Sequence, residues 1–355
     1  MPDSRFVVET ERLIWDESGL VSNNMLDSIR KKGTENLPLL TVLLALVISP
    51  LFIRSPYLLH LVIMSLMWGV CAASWDLVFG YMGIFHFAQI AFLGIGAYSS
   101  GLLCMYLSVS PWLGLFFGGV VAGALSLALS LPTLRLKATY MTLVSLGFVF
   151  ALFYITSSWT SFTRGELGLW GIAPLFEAAA KVGYYYTILV LFLASMAILY
   201  AIVRSRYGFA LIAIKGSEDS AKSLGVGVTK VKILIFLISA VLTGIMGGFY
   251  AHYILLVSPE ILAMDAMIDL MAMAVIGGTG SLVGPVIGAF LVTFLLEYFR
   301  IVGEFRFLIY AAALIFIMMV RPRGIYGGLS DLIEWITGKR RSADWARLEA
   351  GASNP

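Results

Sequence analysis

Few side chains in this sequence could do chemistry, and those few are scattered. The three histidines, His60, His86 and His252, lie far apart and lack metal-ligand spacing. The two cysteines, Cys71 and Cys104, fall inside apolar runs, match no redox or metal spacing, and read as small buried residues. There is no Gly-x-Ser-x-Gly and no zinc signature. There is also no phosphate-binding stretch of Gly, four residues and Gly-Lys-Ser/Thr, so the chain is not expected to hydrolyse ATP by itself. No catalytic residue, metal, cofactor or nucleic-acid partner is expected. The remaining candidates are ionisable or polar groups within apolar runs, where charge is costly and usually functional. Asp76 and Glu297 lie near the ends of such runs, and Asp265 and Asp269, spaced i, i+4, begin one. Interfacial solvation is the expectation for all four. His86 and Gln89 are three residues apart, which on a helix would place them on one face. Two readings stay open for them: a polar pair lining a pathway, or an interhelical hydrogen bond.

The elements that must carry these residues are membrane helices. Of 355 residues, 60% are hydrophobic and 13% charged, against about 25% charged in soluble domains. The fold class is all-α and polytopic, with about ten membrane segments: 38–53, 57–79, 85–107, 111–131, 138–157, 184–203, 231–256, 263–277, 284–300 and 305–320. Pro38, Pro111 and Pro132 punctuate run ends. Residues 1–37 form a polar N-terminal segment without the apolar core of a cleavable signal. Residues 38–322 form the membrane domain, with a polar loop at 204–230, and 323–355 form a polar tail. With this count and a cytoplasmic N-terminus, 19 of the 24 basic residues fall inside, so both termini are expected in the cytoplasm. No run centres an acid, which weighs against an ion-driven carrier that needs a buried carboxylate. Energy is expected to reach the chain from outside it.

Four stretches depart from plain spans. "GYMGIFHFAQIAFLGIGAYSSG" (80–101) and "MAVIGGTGSLVGPVIGAF" (273–290) are dense in glycine, which either allows close helix packing or breaks a helix over a cavity. Their shared "IGAY" and "IGAF" endings hint at an internal duplication. The loop 158–183 is amphipathic and suits an interfacial helix or a docking surface for an extracytoplasmic partner. Within "IAIKGSEDSAKSLGVGVTKVKI" (212–233), Ser217 is a good N-cap and Glu218 and Asp219 occupy a first turn that favours anions. Gly225 suits the left-handed position after the helix. The spacing predicts a short helix over 218–224, marginal alone and in need of a partner.

The segment Glu218 to Val226 resembles the cytoplasmic "EAA" loop of ABC importer permeases. Together with "LTGIMGGFYA", both Gly-rich stretches, "RPRGIYGG" (321–328) and "TRGELGLWGIAPL", it is similar to permeases of the branched-chain amino acid (leucine/isoleucine/valine) import system. The resemblance runs from about residue 40 to 330. It implies an ABC importer permease fold in the bacterial inner membrane, a second and homologous permease chain, two ATPase subunits and an extracytoplasmic binding protein. It implies that Ser217, Glu218, Asp219, Ala221, Leu224 and Gly225 couple to an ATPase. It further implies a translocation pathway near Gly83, His86, Gln89, Gly94, Gly96, Tyr98, Gly277, Gly278, Gly280 and Pro285. His86 departs from the small Ser or Asn usual in the family, which leaves the substrate open among branched-chain amino acids, other amino acids, amides and urea. The alternative is an ion-coupled secondary transporter of a small polar solute.

Overall fold

Six stretches of the chain are long and apolar enough to cross a bilayer as helices, among the described residues. The computed structural model describes residues 49–50, 55–133, 138–176, 181–299, 324–325 and 327. The head 1–37, the expected segment 38–53 apart from residues 49–50, the expected segment 305–320, residues 134–137 and almost all of the tail 323–355 lie outside the described residues. The long helices are α1 (Pro56–Phe79), α2 (Ala88–Leu107), α3 (Pro111–Thr133) and α4 (Ala138–Ser158). After the short α5 (Thr160–Thr163) and strand β1 (Leu169–Trp170) come α6 (Lys181–Arg204), α7 (Arg206–Gly216) and α8 (Glu218–Ser223). The chain then continues through α9 (Val228–Ile254), β2 (Leu256–Val257), α10 (Met264–Gly277) and α11 (Gly284–Tyr298). Proline opens α1 and α11 at a position whose N–H has no helical partner anyway.

Lipid supplies no hydrophobic force between helices, so small residues that admit close backbone contact must do the packing. Helix α9 crosses α2 and α3 on such residues. A Cβ on Gly96 would overlap the Gly244 backbone, one on Gly247 would overlap the Leu93 carbonyl oxygen, and one on Gly248 would lie 2.9 Å from Leu115 Cα. Gly118, Gly119 and Ala122 of α3 line the same seam. Helix α1 packs against α6, α9, α10 and α11, and 83% of its most apolar stretch is buried, whereas α4 is 17% buried.

The two Gly-rich stretches resolve differently. The first is unbroken from Ala88 to Leu107, so its span starts three residues later than the expected 85. Ahead of it, 80–87 is non-helical, and its backbone groups find side-chain partners. Trp75 Nε1 donates to His86 O at 2.9 Å, Thr142 Oγ1 donates to Phe85 O at 2.8 Å, and Phe87 N–H donates to Ser145 Oγ at 3.0 Å. This is how irregular backbone is tolerated among membrane helices. The second stretch is a helical hairpin. α10 has 14 residues and α11 has 15, or about 21 and 22 Å of helix against about 30 Å of hydrocarbon. Neither of the expected spans 263–277 and 284–300 is therefore a full-length helix. Residues 255–263 run through β2 and a 3₁₀ turn (Pro259–Leu262) with no α-helix, and Leu262 reaches Gly94 in the first half of α2. In the loop 158–183, expected to form an interfacial helix or a docking surface, the described residues before α6 form α5, a 3₁₀ turn and β1, which pairs antiparallel with β2 through Leu169–Val257 and Trp170–Leu256.

Gly247→Ala forces a methyl into the Leu93 carbonyl and is expected to cost about 3 kcal/mol or to prevent folding. Gly147→Ala meets open space and is expected to change stability by less than about 0.5 kcal/mol. Thermal unfolding of the two detergent-purified variants compares them directly.

Candidate functional site

The predicted loop helix is present as α8, with defined stops at both ends. Ser217 is extended (φ −163°), and its side chain accepts from the Ser220 N–H at 3.3 Å. Glu218 and Asp219 occupy the first turn. At the far end Leu224 is the C-cap and Gly225 has φ +83°. Gly225 N–H donates to Lys222 O at 2.9 Å and Val226 N–H to Ala221 O at 3.0 Å, the Schellman pattern of a left-handed helix stop. Ala221 is buried, while Leu224 is 81% exposed.

What holds α8 in place is an ion pair that the spacing of the sequence did not suggest. Lys232, in the second turn of α9 and with a side chain only 6% exposed, donates to Glu218 at 2.6 Å. Lys222 completes a second pair with Glu218 at 3.2 Å. Partial burial raises the proton affinity of the Glu218 carboxyl, but the hydrogen bonds from Lys232 and Lys222 outweigh it and hold the carboxyl below the ordinary glutamate range. The one signal in the sequence was a lysine inside the apolar run "VKILIFLISA". Its partner lies 14 residues back across a turn, outside any helical spacing rule.

The end of the bundle that carries α8 also gathers the two Gly-rich turns. Gly83 is exposed, has φ +78° and lies under the Lys215 stem. Gly278 and Gly280 have φ +118° and +77°, conformations that other residues rarely adopt. Ser281 ties this second turn by donating to Gly278 O and accepting from Gly284 N–H, both at 3.0 Å. Gly277 packs at the Gly284 backbone, and Pro285 sits in the first turn of α11. Asp76 departs from the expected solvated position: it is 1% exposed and accepts from Gly280 N–H at 2.8 and 3.1 Å. The sequence places it near a helix end, but α10 and α11 close over that end. Asp265 is exposed, Asp269 is half-buried, and Glu297 accepts from Tyr57.

Gln89 and His86 part company. His86 precedes α2, so the expected shared helical face does not exist. Gln89 makes the interhelical hydrogen bonds: it donates to Thr243 and accepts from Ser239 at 3.1 Å, and Ser239 also donates to Ser74 O at 2.8 Å. His86 is fully buried against Phe236 and Trp75, and neither ring nitrogen has a partner among the described residues. The Tyr98 hydroxyl is likewise buried and unpartnered among them. Gly94 and Gly96 serve packing, against Leu262 and Gly244. The expected pathway residues thus divide into a turn cluster, a buried polar layer and helix crossings.

At the opposite end, His252 accepts or donates at Ser100 Oγ (2.9 Å) and donates from Nδ1 to Ala173 O (2.7 Å). Tyr184 donates to His252 O at 3.1 Å and accepts from Leu175 N–H at 3.1 Å, which pins the loop after β1 to α6 and α9. Cys104 Sγ lies 3.7 Å from His252 Nε2. Among the described residues no cluster of His, Cys, Asp or Glu could hold a metal ion.

Glu218→Gln leaves the nearly buried Lys232 ammonium without its carboxylate and is expected to cost about 3 kcal/mol. Lys232→Met removes the buried charge and is expected to cost about 1 kcal/mol or less, and the double variant no more than that. Because the folded Glu218 carboxyl titrates below its ordinary value of 4.5, the unfolded chain takes up the proton first. The contribution of the pair is therefore complete above that value and is lost as the pH falls through the lower folded one. Thermal unfolding of the four proteins at neutral and acid pH reads both effects.

Comparison with known proteins addresses the family of the chain. A family profile described as the permease component of the branched-chain amino acid transport system matches residues 57–321. The chain is 26% identical over 313 residues to the high-affinity branched-chain amino acid transport system permease protein LivM of Salmonella typhimurium, covering 81% of this chain and 74% of that protein. It is 26% identical over 281 residues to the corresponding LivH of Escherichia coli K12, covering 73% of this chain and 91% of that protein. It is 28% identical over 191 residues to the nucleoside ABC transporter permease protein NupC of Lactococcus lactis, covering 48% and 60%. No solved structure gives a significant match. With the profile spanning well over half the chain, the capped loop helix, the glycine turns and the small-residue crossings belong to a member of the branched-chain amino acid transport system permease family.

Proposed function

We propose that this chain is a membrane permease subunit of an ATP-driven importer for branched-chain or related amino acids, and that α8 couples it to an ATPase. One observation carries the coupling role. α8 is capped at both ends and held on one side by Ala221 and the Glu218–Lys232 pair, yet it leaves Leu224 81% exposed. An isolated six-residue helix is unstable in water, so a rigidly presented one with an uncovered leucine fits a groove on a partner. Ser217, Glu218, Asp219, Ala221, Leu224 and Gly225 form this docking unit. Two ATPase subunits supply the energy, a second permease chain completes the core, and an extracytoplasmic binding protein delivers the solute. The relatives named LivM and LivH support a pair of unlike chains.

The membrane is the bacterial cytoplasmic membrane, which holds about ten membrane segments, α10 and α11 being short ones, and both termini lie in the cytoplasm. Charge supports this sidedness. Arg204, Arg206, Lys215, Lys222, Lys230 and Lys232 gather at the α8 end, and Arg164 and Lys181 lie at the other. The pathway runs beside the Gly83, Gly277, Gly278, Gly280 and Pro285 turns and the layer of His86, Gln89, Gly94, Gly96 and Tyr98. The resemblance to a nucleoside permease favours a second substrate reading, a nucleoside in place of an amino acid.

In proteoliposomes holding the full complex, uptake of radiolabelled leucine is expected to require ATP, and uridine uptake in the same vesicles separates the second reading. Leu224→Asp, and Gly225→Val, which strains the left-handed stop by about 1–2 kcal/mol, are each expected to lower ATPase co-purification and uptake at least about tenfold. Uptake driven by an ion gradient without ATP would point to the secondary-transporter alternative.

A further inference from the structure

The two Gly-rich turns do more than lie near the coupling loop; they form a continuous junction with it. Lys215 is in the last turn of α7, two residues before the Ser217 cap of α8. Its ammonium donates to Gly80 O at 2.6 Å, and its stem lies where a Cβ on Gly83 would be, 3.1 Å away. Gly80 in turn touches the second turn: a Cβ there would lie 2.5 Å from Gly280 N and would overlap the Asp76 carboxylate. Asp76 bridges the turns from the α1 side, accepting from Gly280 N–H with both oxygens, within the electrostatic reach of Lys215. Gly324, far along the chain, packs against Gly278 on the other side of this turn.

Beyond the Lys215 side chain, each link in this chain is backbone or a short carboxylate. Nothing compliant separates α7 from the α10–α11 hairpin except the Lys215 stem itself. The hairpin leans on α1 and not on α8, so a displacement of α8 can reach it through Gly80 and Asp76. Asp76 is 1% exposed and its carboxylate accepts from Gly280 N–H, so letting go of Gly280 would cost a buried acceptor its hydrogen bonds. The junction therefore either moves as a unit or breaks at considerable cost.

We propose that Lys215 and Asp76 are positioning residues of the transport cycle, linking movement of the coupling helix to the α10–α11 hairpin through the Gly80–Gly280 contact. This rests on the coupling role proposed for α8. The bland alternative is a static staple that merely stabilises the fold, and the two differ in what happens to the number of solute molecules imported per ATP hydrolysed.

That ratio is measured in proteoliposomes of the complete transporter with Lys215→Met, Lys215→Arg, Asp76→Asn and the Lys215→Met/Asp76→Asn double variant. The Lys215→Met and Asp76→Asn complexes are expected to retain their ATPases and to import about tenfold less solute per ATP, within the ordinary range of coupling between sites. Lys215→Arg is expected to keep the wild-type ratio, and the double variant to be no worse than the poorer single. An unchanged ratio, with uptake and hydrolysis falling together, would overturn the junction, as would loss of the ATPases from the Lys215→Met complex. Uptake by the unmodified complex that needs no ATP would overturn the coupling role of α8 itself, which keeps the two failures apart.

Discussion

Close backbone contact between α9 and its neighbours is the constraint on which the rest depends. Where Gly96 meets Gly244 and Gly247 meets Leu93, no side chain separates the helices. That proximity is what lets Gln89 reach across to Thr243 and Ser239, a short side chain spanning two helices. It also sets the position of the first residues of α9, and so of Lys232, which holds Glu218. The loop helix is thus placed by a membrane-depth crossing through two intermediates. In lipid, where the apolar effect does not pull helices together, dispersion at such crossings and satisfaction of backbone groups carry the packing.

Much of this was legible in the sequence, for physical reasons particular to each feature. Six long helices could be read from run length because a bilayer enforces that length. The cap at Ser217 and the stop at Gly225 were readable because both are local, decided within a few residues by hydrogen bonding and by φ. The glycine runs were visible too, but whether they pack or break was not. Gly96 and Gly83 look alike in sequence, and only the approach of Gly244 or of Lys215 tells a helix crossing from a turn.

What was not legible depended on contacts between distant positions. Asp76 reads as an interfacial acid because it sits three residues from the end of α1. It is sealed because a turn some 200 residues later folds over it. His86 and Gln89 read as one helical face because spacing assumes a helix, while Trp75, Thr142 and Ser145 stabilise the irregular backbone around 85–87 instead. α10 reads as a span because hydropathy counts apolar residues, not helix, and the helix begins only at Met264, after a 3₁₀ turn at Pro259–Leu262 and an extended Ala263.

The contrast between α1 and α4 carries a consequence for how this protein can vary. Their most apolar stretches have the same mean hydropathy, yet 83% of one and 17% of the other is buried within the chain. An alphabet of oil and polar letters cannot tell them apart. In this chain taken alone, α4 needs little beyond apolarity and length except at Thr142 and Ser145, which hold the 85–87 backbone, so many different 19-residue words that keep those two would serve it. In α1 the shape of each residue matters, from Gly69 against Val286 to Asp76 against Gly280. Sequence drift should therefore run quickly in α4 and slowly in α1, at constant hydrophobicity in both.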